Sequence, residues 1–259
     1  MTPIGGLLRE WRERRRFSQM GLALQAGISP RHLSFIETGR SLPSRDVIAQ
    51  LAEELQVPLR EQNRLLLAAG YAPPYEQTPL ESERMSQIQS ALQELLVAHE
   101  PFPAIAVDRE WNVVGANRGL QQLTAGLPDD LLVQPVNALR LGLHPRGLAS
   151  RIVNLDEWRA HLLGRLKREI ELTQNQKLVE LNRELLAFTY EGHSDEAYDR
   201  DEFSLFVPLR IRLDDRVLTF LSTVTTFGTA RDITIEELSV ETFFPADAVT
   251  SAVLAGARS

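Results

Sequence analysis

Hydrophobic positions recur at helical spacing through the first 70 residues of the chain. One apolar face runs along residues 4–15, and two short helices follow within residues 17–45. A fourth helix is predicted to begin at Ser44 and a fifth at Pro58. Apolar residues spaced three and four apart bury one face of a helix, while the polar residues between them face water. We therefore predict a compact all-α domain of five helices over residues 1–71.

Residues 17–45 carry start and stop signals for two helices joined by a tight turn. Ser18 is placed to cap the first of them, and Gly27 suits the left-handed residue that ends it. Ser29 caps the second helix, with Pro30 at its first position, where a missing N–H costs nothing. Inward positions of the second helix are apolar and outward positions are polar, basic or aromatic. This is the layout of a helix-turn-helix, whose second helix enters the major groove of DNA.

A proline-rich stretch separates this domain from the rest of the chain. Residues 72–79 (APPYEQTP) contain three prolines, which interrupt a helix because proline lacks the backbone N–H and clashes with the preceding turn. We predict a linker over residues 72–81 and a second domain over residues 82–259. The second domain opens on an amphipathic helix over residues 82–99.

From residue 101 onward, stretches with strand-type alternation are mixed with amphipathic helices. Strands are predicted over residues 104–108, 111–116, 203–213, 217–227 and 235–244, and helices over residues 155–172 and 176–189. A capping pattern leaves a helix as the alternative in the last of the strand segments. Two strands, a helical insert and three strands is the order of a PAS-like domain. We predict an α+β PAS-like fold, with helices over one face of an antiparallel sheet and, often, a small-molecule pocket between them.

Charge is distributed unevenly between the two predicted domains. The 259 residues carry a net charge of −7, which argues against nonspecific coating of nucleic acid. Residues 1–45, however, carry eight Lys and Arg against three Asp and Glu, whereas the remaining residues carry 20 against 32. A basic end on an acidic body suits a protein that presents one face to phosphates. The alternative to a phosphate-binding face is that Arg14, Arg15 and Arg16 form a cluster of positive charge by chance.

Composition and motifs argue against secretion, membrane insertion and catalysis. The chain has no cysteine, so it forms no disulfide and no cysteine-ligated metal site. No signal-peptide pattern and no apolar run of about 20 residues occurs, so we expect a soluble, cytoplasmic protein. Its five histidines are scattered, and it lacks phosphate-binding and nucleophile-elbow motifs, so we expect neither an enzyme nor a metal site. A metal site in the acidic stretch 191–202 is the alternative to a solvated loop.

The helix-turn-helix region resembles a known class of DNA-binding domain. The run S-Q-x-x-L-A-x-x-A-G-I-S-x-x-x-L-S-x-I-E-x-G-R-x-x-P-S is similar to the phage repressor/Cro type, also called the xenobiotic-response-element type. The resemblance covers about the first 70 residues and implies a sequence-specific DNA-binding domain. The alternative is a small helical bundle that merely shares the spacing.

Candidate DNA contacts lie on and around the second helix of this motif. The resemblance places base contacts at Pro30, Arg31 and Phe35. Arg31 is the best candidate to read guanine, because its guanidinium can bond both major-groove acceptors, and Phe35 can contact a thymine methyl. The candidates for phosphate contacts are Gln19, Ser34, Arg40 and Arg45. Ser29 is equally well explained as a helix cap. His32 is either a surface residue without a role in DNA binding or a base contact.

Glu37 needs a cationic partner because an unpaired carboxylate beside DNA repels phosphate. The resemblance implies a buried partner at the position of Arg12 on the first helix. We predict an Arg12–Glu37 ion pair that fixes the recognition helix. Because one helix-turn-helix offers little contact area, we also expect a homodimer on an inverted-repeat operator. The dimer contact is assigned either to the 82–99 helix or to the second domain.

The second half of the chain resembles the ligand-binding domain of the MmyB-like transcription regulators. The similarity lies in PAIAVDREWNVVGAN, NALRLGLHPRGLASRIVNLDEWRAHLLGRL, FSLFVPLRIR and LSTVTTFGTARDITIEELSVETFFPAD. Together with the N-terminal motif it extends over about residues 5–250. It implies a transcription regulator with a PAS-like pocket for a small apolar, fatty-acid-like effector. We expect no other cofactor.

We predict that the pocket wall combines inward positions of the strands with a covering helix. The wall residues are Ile105, Val107, Val113, Trp158, Leu162, Leu205, Val207, Leu209, Phe220 and Val224. Ordinary core packing is the alternative for each of them, and a ligand-free dimerisation domain is the alternative for the whole. The expected regulator is a repressor that releases DNA when the effector binds, and an activator is the alternative.

Overall fold

The computed structural model describes residues 4–190 and 205–256 and divides the chain into two units. The first unit runs to Pro79 and also includes Gly228–Glu236, and the second comprises Leu80–Phe227 and the chain from Glu237 onward. The predicted linker over 72–81 therefore belongs largely to the first unit. The predicted second domain also loses nine residues, 228–236, to that unit. The acidic stretch 191–202 lies outside the described residues.

Five consecutive helices form the body of the first unit. They are α1 (Ile4–Arg14), α2 (Gln19–Gln25), α3 (Pro30–Glu37), α4 (Arg45–Glu54) and α5 (Leu59–Ala68). The hydroxyls of Ser18, Ser29 and Ser44 each accept a hydrogen bond from a backbone N–H of the helix that follows. Gly27 has a φ of +65°, a conformation that glycine adopts without strain, and it ends α2. Local capping chemistry thus sets the helix boundaries.

The core of the first unit is a single apolar cluster with contributions from all five helices. Its fully buried large residues are Leu8, Leu22, Leu33, Ile36, Ile48, Leu51, Leu55 and Leu65. The residues 228–236 include a four-residue helix, α11 (Ile233–Glu236), and bond to the linker and to α5. The first unit is therefore built from two separate stretches of chain.

The second unit contains a five-stranded antiparallel sheet with the strand order β2-β1-β5-β4-β3. Its strands are β1 (Ala104–Val107), β2 (Val113–Ala116), β3 (Leu209–Leu213), β4 (Arg216–Thr226) and β5 (Ser239–Pro245). Its helices are α6 (Ser86–Ala98), α7 (Arg118–Thr124), α8 (Ala138–Leu143), α9 (Leu155–Thr173), α10 (Gln176–Leu186) and α12 (Ala248–Gly256). The two-domain fold with an α+β PAS-like second domain is confirmed.

Successive residues of β1 point to opposite faces of the sheet, as strand geometry requires. Ile105 and Val107 join the large core beneath α8, α9 and α10. Ala104 and Ala106 instead join a smaller cluster with Leu92 and Leu96 of α6. The predicted arrangement, with helices over one face, is therefore incomplete, since α6 covers β1 from the other side.

Two strand predictions differ from the structure. Within the predicted strand 203–213, only Leu209–Leu213 is a strand among the residues described. The predicted segment 235–244 contains both competing elements, because it begins in the last residues of α11 and continues as β5. Alternation of apolar residues indicated that extended chain was present, but the limits of hydrogen-bonded pairing depend on the neighbouring strands.

Candidate functional site

The outward face of α3 carries a cluster of two arginines and one aromatic ring. Leu33 and Ile36 are fully buried, which turns Arg31 outward and leaves Phe35 half-buried. The guanidinium carbons of Arg31 and Arg40 lie 5.3 and 5.9 Å from the centre of the Phe35 ring. A cation at this distance is attracted by the ring, so Phe35 helps to position both charges on the surface of the recognition helix.

The other predicted DNA contacts differ in how freely they face outward. Pro30 is exposed, and Ser34 and His32 are half-buried on α3. Ser29 Oγ accepts a hydrogen bond from the His32 backbone N–H at 3.1 Å, which is a helix cap. Arg45 donates to the backbone oxygen of Ala72 at 2.5 Å. The structure therefore groups Arg31, Phe35 and Arg40, and it gives Ser29 and Arg45 intramolecular partners.

Glu37 holds α3 against both preceding helices. Its side chain is only 2% exposed, and its two carboxylate oxygens accept hydrogen bonds from Arg12 Nε at 2.6 Å and Nη2 at 3.0 Å. Gln19 Nε2 of α2 donates to the same carboxylate at 2.7 Å. Arg12 also donates to the Phe17 backbone oxygen at 2.8 Å. Gln19 is predicted from the sequence to contact phosphate, whereas in the structure its amide, at the first position of α2, bonds Glu37.

An apolar cavity of about 80 Å³ lies between the sheet and helices α7, α8 and α9 of the second unit. A single buried water needs roughly 10–15 Å³, so this space exceeds an ordinary packing gap. Four predicted wall residues line it: Ile105, Trp158, Leu162 and Leu209. The residues that sequence reasoning missed include Trp111, Leu139, Ile152, Ile211, Glu241 and Phe243.

Six predicted wall residues do not line the cavity. Leu205 is 98% exposed because it precedes β3 and is not held in the sheet. Val224 has the inward register of β4 but is 46% exposed, since the end of this 11-residue strand runs past the packed core. Val107 and Phe220 are buried within the core, and Val113 and Val207 are partly buried against it. For these four residues, packing is the observed role.

Polar side chains from β5 and α9 meet beside Trp111. Arg165 Nη1 donates to Glu241 Oε2 at 3.0 Å, and its guanidinium lies 4.6 Å from the centre of the Trp111 ring. Trp111 Nε1 donates to Glu169 Oε2 at 2.8 Å. Burial raises the pKa of the Glu169 carboxyl, although this hydrogen bond and the charge of Arg165 act in the opposite direction. The available signal in the sequence was Glu241, a carboxylate two residues before Phe243 and therefore on the same face of the strand.

Within residues 4–190 and 205–256, no three His, Asp or Glu side chains come together as possible metal ligands. In the same ranges, no helix has both the length and the apolarity that a membrane crossing requires.

Comparison with known families accounts for both units. A helix-turn-helix domain matches residues 3–65, and the ligand-binding domain of MmyB-like transcription regulators matches residues 88–256. No curated protein sequence shows a significant match. The second match alone covers well over half of the chain. The chain therefore belongs to the MmyB-like transcription regulators, with a DNA-binding helix-turn-helix domain in front of a ligand-binding domain.

Proposed function

We propose that this DNA-binding regulator is a repressor that binds an inverted-repeat operator as a homodimer and releases it when a small apolar, fatty-acid-like effector binds. The observation that carries the effector part is the apolar cavity on the helix-covered side of the sheet. Cofactor sites of this kind are mostly apolar, with a few polar groups that fix orientation. Trp111, Trp158 and Glu241, which is paired with Arg165, are the residues with polar groups that line the cavity here.

The α3 cluster supports the DNA-reading part of the proposal. Arg31 reads base edges, and Arg40 and the half-buried Ser34 hold phosphate. A second copy of the chain supplies the second recognition helix, because repressors of this type read two half-sites about 34 Å apart. The outward face of α3 is the surface that both copies present to the groove.

Residues 228–236 connect the wall of the cavity to the DNA-binding domain through the backbone. They connect β4 to β5, and β5 contributes Glu241 and Phe243 to the cavity wall. Yet these nine residues belong to the first unit, where Thr78 donates from its backbone N and its hydroxyl to Asp232 at 3.1 and 2.7 Å. An effector that shifts β5 therefore also displaces residues 228–236, which are hydrogen-bonded within the first unit. Such an effector regulates DNA binding through its different affinity for the two arrangements.

Native mass spectrometry of gently purified protein, with organic extraction of any bound compound, tests the assembly and the effector together. We expect a dimer that carries an additional small, apolar molecule. A dimer without added mass, even after incubation with cell lipid extract, would instead favour the ligand-free dimerisation domain.

A cavity-filling variant tests whether the effector acts from this cavity. Leu162→Trp should abolish the response of DNA binding to lipid extract while retaining affinity for the upstream region of its own gene. Leu186→Trp, at an exposed position of α10, is the matched control and should respond like the wild type. Effector-induced tightening of DNA binding in the wild type would contradict the repressor-release model.

A further inference from the structure

Three consecutive arginines lie at the end of α1, and the structure gives the first two of them partners within the protein. Arg14 Nη2 donates to Glu10 Oε2 at 3.4 Å, and Arg15 donates to two backbone oxygens just after α4 at 2.8 and 3.0 Å. Both guanidinium carbons also lie over the Trp11 ring, 5.2 and 5.6 Å from its centre. Arg16 is exposed, and within residues 4–190 and 205–256 its side chain makes no hydrogen bond, ion pair or ring contact.

Arg16 has a backbone conformation that favours glycine. Its φ is +58°, in the left-handed region, and it follows the last turn of α1, with its N–H bonded to the Glu13 backbone oxygen at 3.0 Å. Helices α2, α3 and α5 are each followed by a glycine in the same conformation: Gly27, Gly39 and Gly70. Ending α1 therefore requires no side chain at position 16, and the arginine there suits a role outside the fold.

The turn that contains Arg16 is bonded to the end of the recognition helix. Arg12, which pairs with the last residue of α3, Glu37, also donates to the backbone oxygen of Phe17 at 2.8 Å. Arg40 follows only three residues after Glu37, so it belongs to the same end of α3. In a helix-turn-helix the first helix of the pair crosses the DNA backbone while the second lies in the groove. The turn from α1 into α2 is therefore close to the DNA backbone.

Resting on the proposed DNA-reading surface of α3, we infer that Arg16 binds a backbone phosphate beside the groove that α3 enters. A phosphate fits because the guanidinium is a permanent cation that offers only donors. Two residues predicted from the sequence to contact DNA phosphate, Gln19 and Arg45, bond within the protein instead. Since the two neighbours of Arg16 stabilise the fold, one residue of the arginine cluster binds DNA and the other two do not.

Arg16→Gly tests the inference, because glycine suits this backbone conformation and removes the charge. We would measure DNA binding of the full chain by fluorescence anisotropy at several NaCl concentrations. The two duplexes are the upstream region of its own gene and an unrelated sequence of equal length. For both, the slope of log K against log [NaCl] should become shallower by about 0.9 per bound copy of the chain, with several-fold weaker binding. The free energy of unfolding should be unchanged or higher, and an unchanged slope would overturn the inference.

Three further variants separate a phosphate contact from other effects of the substitution. Arg16→Lys keeps the charge and should keep the wild-type slope. Gln56→Gly makes the same backbone change at another exposed residue of positive φ, +47°, without removing a charge. Arg64→Ala removes an exposed charge from α5, where Arg64 pairs with Glu61. Both controls should keep the wild-type slope, and an equal loss in Arg64→Ala would overturn the inference by showing a general charge effect.

Arg40→Ala distinguishes failure of this inference from failure of the proposed DNA-reading surface. If Arg40→Ala makes the slope shallower and Arg16→Gly does not, the surface is correct and only the role of Arg16 is wrong. If neither variant changes the slope, the proposed surface is wrong and this inference fails with it. Should the glycine variant not fold, Arg16→Gln removes the same charge and gives the same comparison.

Discussion

At the residue scale, a few buried polar side chains determine how the surface of the DNA-binding unit is presented. Glu37 receives donors from α1 and α2, and Arg12 extends the network to a backbone oxygen. Phe35 lies within cation–π range of Arg31 and Arg40. Packing and recognition are therefore coupled on α3. Some substitutions there should displace the helix, whereas others should change only which DNA sequence it recognises.

Glu37→Ala should lower both the free energy of unfolding and DNA affinity. Removing one member of a buried pair leaves the other charge uncompensated, at a cost of ~3–5 kcal/mol. Urea unfolding and DNA titration measure the two effects. Glu10→Ala, which breaks an exposed pair with Arg14, is the control and should change stability little. Lost DNA binding at an unchanged melting temperature would refute the structural role of Glu37.

Arg31→Ala should reduce discrimination between operator and unrelated DNA. A good bidentate contact to a base contributes about 1–3 kcal/mol of discrimination. Arg40→Ala is the comparison, and it should weaken binding to both DNAs similarly because phosphate contacts carry no sequence information. Fluorescence anisotropy on the two duplexes gives the ratio of the affinities for operator and unrelated DNA. The assignment is wrong if Arg40→Ala, and not Arg31→Ala, changes that ratio.

Glu169→Gln should alter the pH dependence of stability. Burial raises the pKa of Glu169, so the native state binds more protons than the unfolded state between the ordinary and the raised value. The free energy of unfolding of the wild type therefore falls as the pH rises through that window. The glutamine variant keeps an acceptor for Trp111 but does not titrate, so its stability relative to wild type should rise over the same window. Urea unfolding at several pH values checks this, with exposed Glu171→Gln as the control.

At the scale of elements, helix ends depend on both local and distant chain. Ser18, Ser29 and Ser44 cap their own helices from the adjacent position. Pro58 precedes α5 and makes no side-chain cap. The cap of α5 is instead supplied by Glu236 of α11, whose carboxylate accepts a hydrogen bond from the Leu59 backbone N–H at 2.9 Å. The negative charge also lies at the positive end of the helix dipole, which strengthens the contact.

Glu236→Ala should therefore destabilise the first unit by about 0.5–2 kcal/mol, the usual effect of losing an N-cap. Glu236→Gln should cost less, because it keeps an oxygen acceptor and loses only the charge. The control is Glu54→Ala at an exposed position in α4. Chemical unfolding of the full chain ranks the three variants by free energy of unfolding. Equal stability of all three would exclude a capping role.

At the scale of the whole molecule, the chain passes twice into the first unit. After β4 it contributes Gly228–Glu236 there, and it then returns to the sheet as β5. Asp232 anchors this segment by accepting from Thr78 and from the backbone N of Thr234. We therefore expect this segment to couple effector binding to operator binding.

Asp232→Ala should separate effector binding from its effect on DNA. The cavity is unaltered, so fluorescence titration should give wild-type effector affinity, while DNA affinity should respond much less to the effector. Asp215→Ala, in the turn between β3 and β4, is the control and should leave the response intact. A full response in Asp232→Ala would exclude this contact as the route.

The extent of prediction differed between local and long-range features. Helix caps, the left-handed Gly27 and the inward face of α3 were predictable because each depends on residues within one or two turns. The pocket wall was predicted less well. Leu205 and Val224 have the right alternation, but burial depends on where the sheet and its covering helices end.

Periodicity, capping and family resemblance were enough to predict the helix-turn-helix, the two-domain order and the PAS-like succession of elements. Three features became visible only in the folded protein: residues 228–236 join the first unit, Gln19 bonds Glu37, and one oxygen of Glu241 has no partner among the described residues. The physical reason is sequence separation. Hydrogen bonds between residues far apart in the chain depend on how whole elements pack, and no local pattern records that packing.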